Sequence, residues 1–402
     1  MVKNLEAKFS NIILHQEASE INRKGIYRPF NTLTGECIDN NIYLFGLNNN
    51  SICTINKTTG NISVQLGDES MPYSKEGLYI KSIAYKKNVF FISDKINRIL
   101  KLDTVTNKKT VISFRDVAMD YEPVLYKTKL FLLPIGYSDQ LVCCNLENGD
   151  ISYLSTNYRS ELNQAVWGEA YIFGKTVAVG GCCYRGSYLG ADIQKFHMES
   201  GRFEYMKING FDQPIRNIVF DGEFFWILSS RNGQIIRWDQ NRNEVLLSID
   251  LAKETGKPSM IYTSCAYCGE TLYIPEKQGS CILELRLKEN MLVSYDYAQI
   301  PEFKSKRQNG QAFSEFIKID PFGEVCFFPY QSNGVAIKSK DGILHFYPTE
   351  TAKILEFSNE QQQNESICTL EHFCSIVSQK SRNQITKKNF GTRIIEEVRK
   401  LT

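Results

Sequence analysis

One turn pattern recurs seven times along this chain, and it restricts the possible folds more than any other feature. A short apolar run ends at a polar corner, and the fourth residue beyond that corner is glycine or asparagine. The segments are 52–60, 99–107, 141–149, 193–201, 235–243, 282–290 and 334–342, with apexes Gly60, Asn107, Gly149, Gly201, Asn243, Asn290 and Gly342. These two residue types best tolerate the positive φ that a tight or bulged hairpin turn demands. A further strand-like run follows each apex, such as Ile62–Val64, Val245–Leu247 or Ile343–Phe346. The repeat averages about 47 residues, a length typical of a four-stranded unit.

A largely apolar run precedes each corner: Ile42–Phe45, Val89–Ile92, Leu130–Leu133, Thr176–Val179, Phe224–Ile227, Leu272–Ile274 and Val325–Phe328. Apolar residues at consecutive positions call for burial on both faces of a strand. Upstream runs such as Tyr79–Tyr85, Ile215–Phe220 and Phe316–Ile319 supply a fourth strand. Four antiparallel strands per unit, repeated radially, predict an all-β, seven-bladed β-propeller over residues 30–350. The Asp/Asn-x-x-x-Gly/Asn turn after an apolar strand, as at Leu102-Asp103, Trp238-Asp239 and Thr59-Gly60, resembles the generic blade of the YVTN/NHL and quinoprotein-like propellers. The resemblance covers about four-fifths of the chain and implies a fold, not an activity. Trp238-Asp239 is the single Trp-Asp pair and lacks a matching Gly-His, so WD repeats are excluded. Gly180-Gly181 is the single glycine pair, which excludes kelch repeats, and Ser339–Gly342 lacks Asp-box spacing. With three tryptophans, a quinone site is not expected.

Charge narrows the partners. Lys plus Arg number 47 and Asp plus Glu 45, a net charge of +2, so no global field favours nucleic acid or an anionic membrane. Apolar runs stop far short of a membrane span. The first residues, Met1 to Ser10, carry no apolar leader core, and several of the twelve cysteines sit inside apolar strands (Cys53, Cys281, Cys326). A reduced, cytoplasmic protein is therefore expected. Residues 1–29 form an N-terminal arm that either adds a closing strand to the last blade or lies on the surface. Residues 351–402 change character: Ile367, Leu370, Phe373, Cys374 and Val377, then Ile394, Ile395, Val398 and Leu401, recur at helical spacing. They predict two amphipathic helices, serving as a cap on the propeller or as a docking arm for a partner protein.

In such blades the second-to-third-strand loops and the inter-blade loops share one face. Loop length concentrates there, at 67–78, 251–261 and 295–313, and at 180–192, read as the longest loop within a blade. That face is the expected binding surface. Its candidate residues are Tyr137, Tyr184, Arg185, Tyr188, Arg231, Glu276, Lys277 and Tyr330, with Asp139 and Gln331 beside them. Tyrosine and arginine combine large contact area with a polar handle, and aromatic faces stack on sugars. Glu122, Glu169, Glu276 and Glu315 fall near the presumed axis, where they would serve acid–base chemistry or simply satisfy loop amides. Cys265-x-x-Cys268 has no second cysteine pair or histidine pair to complete a metal site. No metal or cofactor is expected. The adjacent Cys182-Cys183 is a candidate reactive pair. His15, His197, His345 and His372 show no triad or ligand spacing. The leading expectation is a non-catalytic propeller that binds a peptide, protein or glycan on its long-loop face. The alternatives are a propeller enzyme acting on a polysaccharide or modified sugar, and an assembly subunit docking through residues 351–402.

Overall fold

A computed structural model describes residues 3–8, 12–14 and 30–349, apart from 48, 72–77, 94–95, 118–119, 136–137, 156–172, 188–189, 230, 258–261, 263, 278, 301–302 and 304–310. The two C-terminal helices expected over 351–402 lie outside these residues. Within them, the chain forms seven antiparallel four-stranded sheets in chain order: 35–66, 81–113, 121–155, 173–207, 215–250, 266–296 and 313–348, here blades 1 to 7.

The hairpin logic of the repeat is visible atom by atom. All seven apexes have positive φ, from 49° at Asn290 to 83° at Gly342. In four blades a corner side chain starts the turn: Asn56, Asp103, Asn145 and Asp239 each accept a backbone N–H two residues on through Oδ1. A side-chain acceptor at the corner and a residue free to take positive φ at the apex are therefore two halves of one turn.

Each blade's second strand is buried nearly throughout, as at Phe225–Ser229 and Val325–Pro329, because it is covered by a neighbouring blade on both sides. Outer strands are half-exposed, as at Lys109–Ser113. Each of the seven seams holds one apolar cluster. Trp226, Leu228 and Ile235 of blade 5 meet Leu272, Ile274 and Leu283 of blade 6. The seventh cluster joins Cys37, Ile42 and Leu44 of blade 1 to Cys326, Phe328 and Val335 of blade 7, which closes the ring.

The N-terminal residues pack on the rim. Lys3–Ala7 runs parallel to the outer strand of blade 6, and Ile12–Leu14 parallel to that of blade 7. Each covers an edge whose backbone groups would otherwise stand unpaired.

The blade 4 expectation needs correction. The sequence pattern places Thr176–Val179 in a second strand and 180–192 in a long loop. Instead Phe173–Val179 is the innermost strand, Gly180 and Gly181 make its hairpin turn at φ 57° and 79°, and Cys182–Ser187 is the second strand. Polar residues hide that strand in the sequence. Arg185 interrupts the apolar pattern, yet it is 1% exposed and its Nε donates to Gln194 Oε1 across the sheet at 2.6 Å.

Candidate functional site at the central cavity

Every innermost strand enters from the long-loop face, so its first residues gather around the axis at that end. A cavity of about 370 Å³ runs along these strands, lined by Lys81, Ser82, Glu122, Lys175, Asn217 and Ser264 toward their starts and by Phe220, Tyr267 and Lys318 toward their ends, with Phe316 among the other walls. Seven strand edges cannot meet on the axis, so the gap is filled by side chains that water or a ligand can satisfy.

Most charges here neutralise one another. Lys318 Nζ lies 2.6 Å from Glu36 Oε1, and the Ser82 hydroxyl donates to the same oxygen at 2.9 Å. Arg216 Nη2 donates to both oxygens of Glu315, at 2.8 and 2.7 Å. Lys81 Nζ is 2.8 Å from Asp120 and 3.7 Å from Glu122. Lys175 differs. Its Nζ donates to the neutral Ser264 hydroxyl at 2.6 Å and sits 4.6 Å from the centre of the Phe316 ring. Among the described residues it has no ion-pair partner within salt-bridge distance. Loss of hydration pushes its pKa down to about 8, against a partial restoring effect of the more distant Glu315 and Glu122.

Asn217, 1% exposed, stands beside it. Its Nδ2 donates to Ser264 Oγ at 3.4 Å, while its Oδ1 is buried with no hydrogen-bond partner among the described residues. A buried acceptor left open costs about 1–3 kcal/mol unless water or a ligand donor fills it. The cavity thus offers one cation poor in counter-charge and one unfilled acceptor, both joined to Ser264.

The expected site residues are dispersed. Tyr137 and Tyr188 lie outside the described residues, as does Glu169. Arg231, Lys277 and Asp139 are exposed on the loop face, and Tyr330 is half-buried there. Glu276 is buried beside Lys257, at 2.7 Å; burial raises its pKa and the lysine partly offsets that. Tyr184 and Arg185 are not loop residues. Tyr184 packs in the seam of blades 4 and 5, its ring centre 4.7 Å from that of Phe225. Tyr184→Ala is expected to destabilise the protein by about 3–5 kcal/mol, the cost of emptying an aromatic core site, and urea unfolding reads it directly. An unchanged midpoint with lost binding would return Tyr184 to the surface.

Of the axial carboxylates, Glu122 and Glu315 do reach the cavity region, and both are engaged by cations. Lys175, Asn217, Ser264, Lys81 and Lys318 were missed. Their signal was present: a charged or polar residue breaks into the start of an otherwise apolar first strand, as in Ile80-Lys-Ser-Ile83 and Ile215-Arg-Asn-Ile218. Cys265 and Cys268 have thiols raised by burial, Cys265 to about 12, which disfavours the thiolate that metal or redox use requires. Among the described residues no cluster of three or more His, Cys, Asp or Glu is placed to hold a metal.

No family model matches the chain, and no curated protein matches it. Solved structures do. A streptogramin B lyase superposes with a TM-score of 0.57 at 12% identity, covering 80% of this chain and 97% of that one. A catalytically inactive virginiamycin B lyase from Staphylococcus aureus with quinupristin gives 0.56 at 14% identity, covering 80% and 97%. U3-55K gives 0.51 at 11% identity, covering 78% and 91%. At such identities the likeness establishes the propeller fold and nothing about activity.

Proposed function

We propose that this propeller is a binding module that takes a peptide, protein or glycan through its long-loop face and holds an acidic group of that ligand in the central cavity. The observation that carries the reading is Lys175: a cation facing a cavity of about 370 Å³, partnered by a neutral hydroxyl while the surrounding charges are paired. A carboxylate would supply the missing counter-charge, and a neighbouring hydroxyl or amide N–H of the ligand would fill Asn217 Oδ1. Arg231 and Lys277 are exposed on the long-loop face. Rigid blades make the arrangement inexpensive to use, since little chain is ordered on binding. Ten free thiols among the described residues suit a reducing compartment.

A second reading has one observation in its favour. An amine titrating near 8 is also suited to proton abstraction, so an enzyme acting on a uronic acid-like or other modified sugar would use Lys175 as its base. Against it, Glu122 and Glu315 are committed to cations, and the described histidines, His197 and His345, lie in the third and fourth strands of their blades, away from the cavity.

Arrays of acidic and neutral peptides and glycans, probed with wild type and Lys175→Gln, test both. The expected result is a set of carboxylate-bearing hits, lost in Lys175→Gln and weakening as pH rises through 8. Hits indifferent to Lys175 would overturn the cavity anchor. Chemical conversion of a hit would overturn the binding reading in favour of the enzyme.

A further inference from the structure

The residue pair at one register position varies from blade to blade, and in blade 4 it is chemically telling. Where the second strand begins, its first residue pairs with the corner residue that ends the third. Blades 1 and 2 place Asn41 opposite Asn56 and Asn88 opposite Asp103. The blade 1 pair is joined by a hydrogen bond, Asn56 Nδ2 to Asn41 Oδ1 at 3.1 Å. In blade 4 the same register brings Cys182 opposite His197.

The thiol Sγ is 3.5 Å from His197 Nδ1. The other ring nitrogen, Nε2, is 3.0 Å from Glu204 Oε2 on the fourth strand, a close contact with poor hydrogen-bond alignment. That contact lowers the Glu204 carboxyl pKa. A carboxylate beside Nε2 favours the proton on that nitrogen, which leaves the Nδ1 lone pair facing the thiol. Transfer of the thiol proton to Nδ1 then gives a thiolate beside an imidazolium, with Glu204 balancing the charge. Lys195 and Arg202 also face this carboxylate, at 3.9 and 3.8 Å. From blade 3 come Tyr126, near Gly181, and Lys127, both of which donate to Glu199 in the outer hairpin of blade 4. Blade 5 meets Cys182 through an apolar cluster that includes Phe225 and Trp238.

Access is open. Cys182 is half-buried, and the side chains of His197 and Glu204 are 30% and 41% exposed. A Cβ added to Gly180, two residues before, would meet nothing within 4 Å, and one at Gly181 would meet only the end of the Tyr126 side chain, its hydroxyl at 3.5 Å. Cys183 points to the other face, is fully buried, and has its pKa pushed up to about 12. Of the adjacent pair, Cys183 is sealed in the core, while Cys182 has a ring nitrogen within 3.5 Å.

We propose that Cys182, His197 and Glu204 form a nucleophilic thiol centre that reduces hydroperoxides, separate from the central cavity. The Cys182 thiolate attacks the terminal peroxide oxygen. An S–O bond forms as the O–O bond breaks, the sulfur is oxidised to a sulfenic acid, and the peroxide is reduced to an alcohol. The leaving oxygen takes the proton that His197 Nδ1 had received from the thiol. Hydroperoxides suit the site because the reaction needs only a thiolate and a proton donor for the departing oxygen, which these residues supply.

The test uses the full chain. Iodoacetamide labelling of each cysteine is followed by peptide mass spectrometry from pH 5.5 to 9, and cumene hydroperoxide is added with dimedone to trap sulfenic acid. Cys182 is expected to alkylate about tenfold faster at pH 6.5 than the half-buried Cys268, since His197 Nδ1 stands within reach to take its proton. His197→Asn keeps the residue type that blade 1 uses at this corner, so the hairpin should fold. It should cost about tenfold in both reactions, and Glu204→Gln a smaller fraction. Ordinary thiol behaviour at Cys182, unchanged in His197→Asn, would overturn the centre. Fast alkylation without a dimedone adduct would overturn hydroperoxide as the substrate.

Discussion

Replacing Lys175 with methionine is expected to make the protein more stable while removing the anchor for an acidic ligand. The folded chain holds this amine near 8, against 10.5 for an ordinary lysine. Below pH 8 both folded and unfolded chains carry the proton, so the whole desolvation penalty opposes folding. Between 8 and 10.5 the unfolded chain still holds a proton that the folded chain has released, and wild-type stability rises with pH. At about 1.4 kcal/mol per pH unit the penalty is roughly 3 kcal/mol as an upper bound. Partial solvent access and the lost contacts to Ser264 and Phe316 reduce the expected gain to about 1–2 kcal/mol at pH 7. The gain should fade as the pH approaches 10.5. Urea unfolding of both proteins at pH 7 and 10 reads the difference, with the other titrating groups cancelling between them. A variant less stable than wild type at pH 7 would mean that the amine is already well compensated, and the cavity would then hold no stored preference for an anion. Stability given up at a charge with no ion-pair partner among the described residues is what the proposed anchor requires.

The ring itself was legible because its signals are local. A corner acceptor such as Asp103 and an apex such as Asn107 lie four residues apart and make one turn without help from the rest of the chain. The unbroken apolar runs, such as Val325–Phe328, report burial on both faces. The site was less legible because the axis is assembled from seven distant strands. Lys81, Lys175, Asn217 and Lys318 approach one another through closure alone, and no spacing in the sequence encodes that. Loop length singled out residues by exposure, whereas the cavity residues are half-buried or buried. Blade 4 failed for a different reason. Gly180-Gly181 reads as the start of a loop, and the buried Arg185 looks like a surface residue until its partner Gln194 is seen across the sheet. The same misreading concealed Cys182, whose partner His197 emerges only from strand register.

Closure also sets a large stability effect. Blades 1 and 7 are not consecutive in the chain, and their seam depends on contacts formed across more than 200 residues of sequence. Lys57, in the outer hairpin of blade 1, reaches Asp320 of blade 7 at 2.6 Å and Glu324 at 2.8 Å. The Asp320 side chain is fully buried, and its Oδ1 also accepts the backbone N–H groups of Phe322 and Glu324. Burial alone would raise the Asp320 pKa; the Lys57 ammonium and these hydrogen bonds outweigh it and hold the carboxyl below its ordinary 3.8. The same pairing raises Lys57 well above the usual lysine value, against its own desolvation. Lys57→Met would leave a buried carboxylate without its cation, at a cost of about 3–5 kcal/mol near neutral pH. The sign of the pH dependence follows from the lowered carboxyl. Its contribution is complete above the unfolded value and is lost as pH falls through the folded one, so the gap between wild type and variant should narrow in acid. Urea unfolding at pH 7 and pH 3, with Asp320→Asn completing a double-mutant cycle, measures the coupling. Lys86→Met is the control, since Lys86 and Glu147 form an exposed pair of the kind that contributes little. Equal effects at Lys57 and Lys86 would show that the seam is closed by its apolar cluster alone. A large effect confined to Lys57, disappearing in acid, would make this ion pair the clasp that joins the last blade to the first.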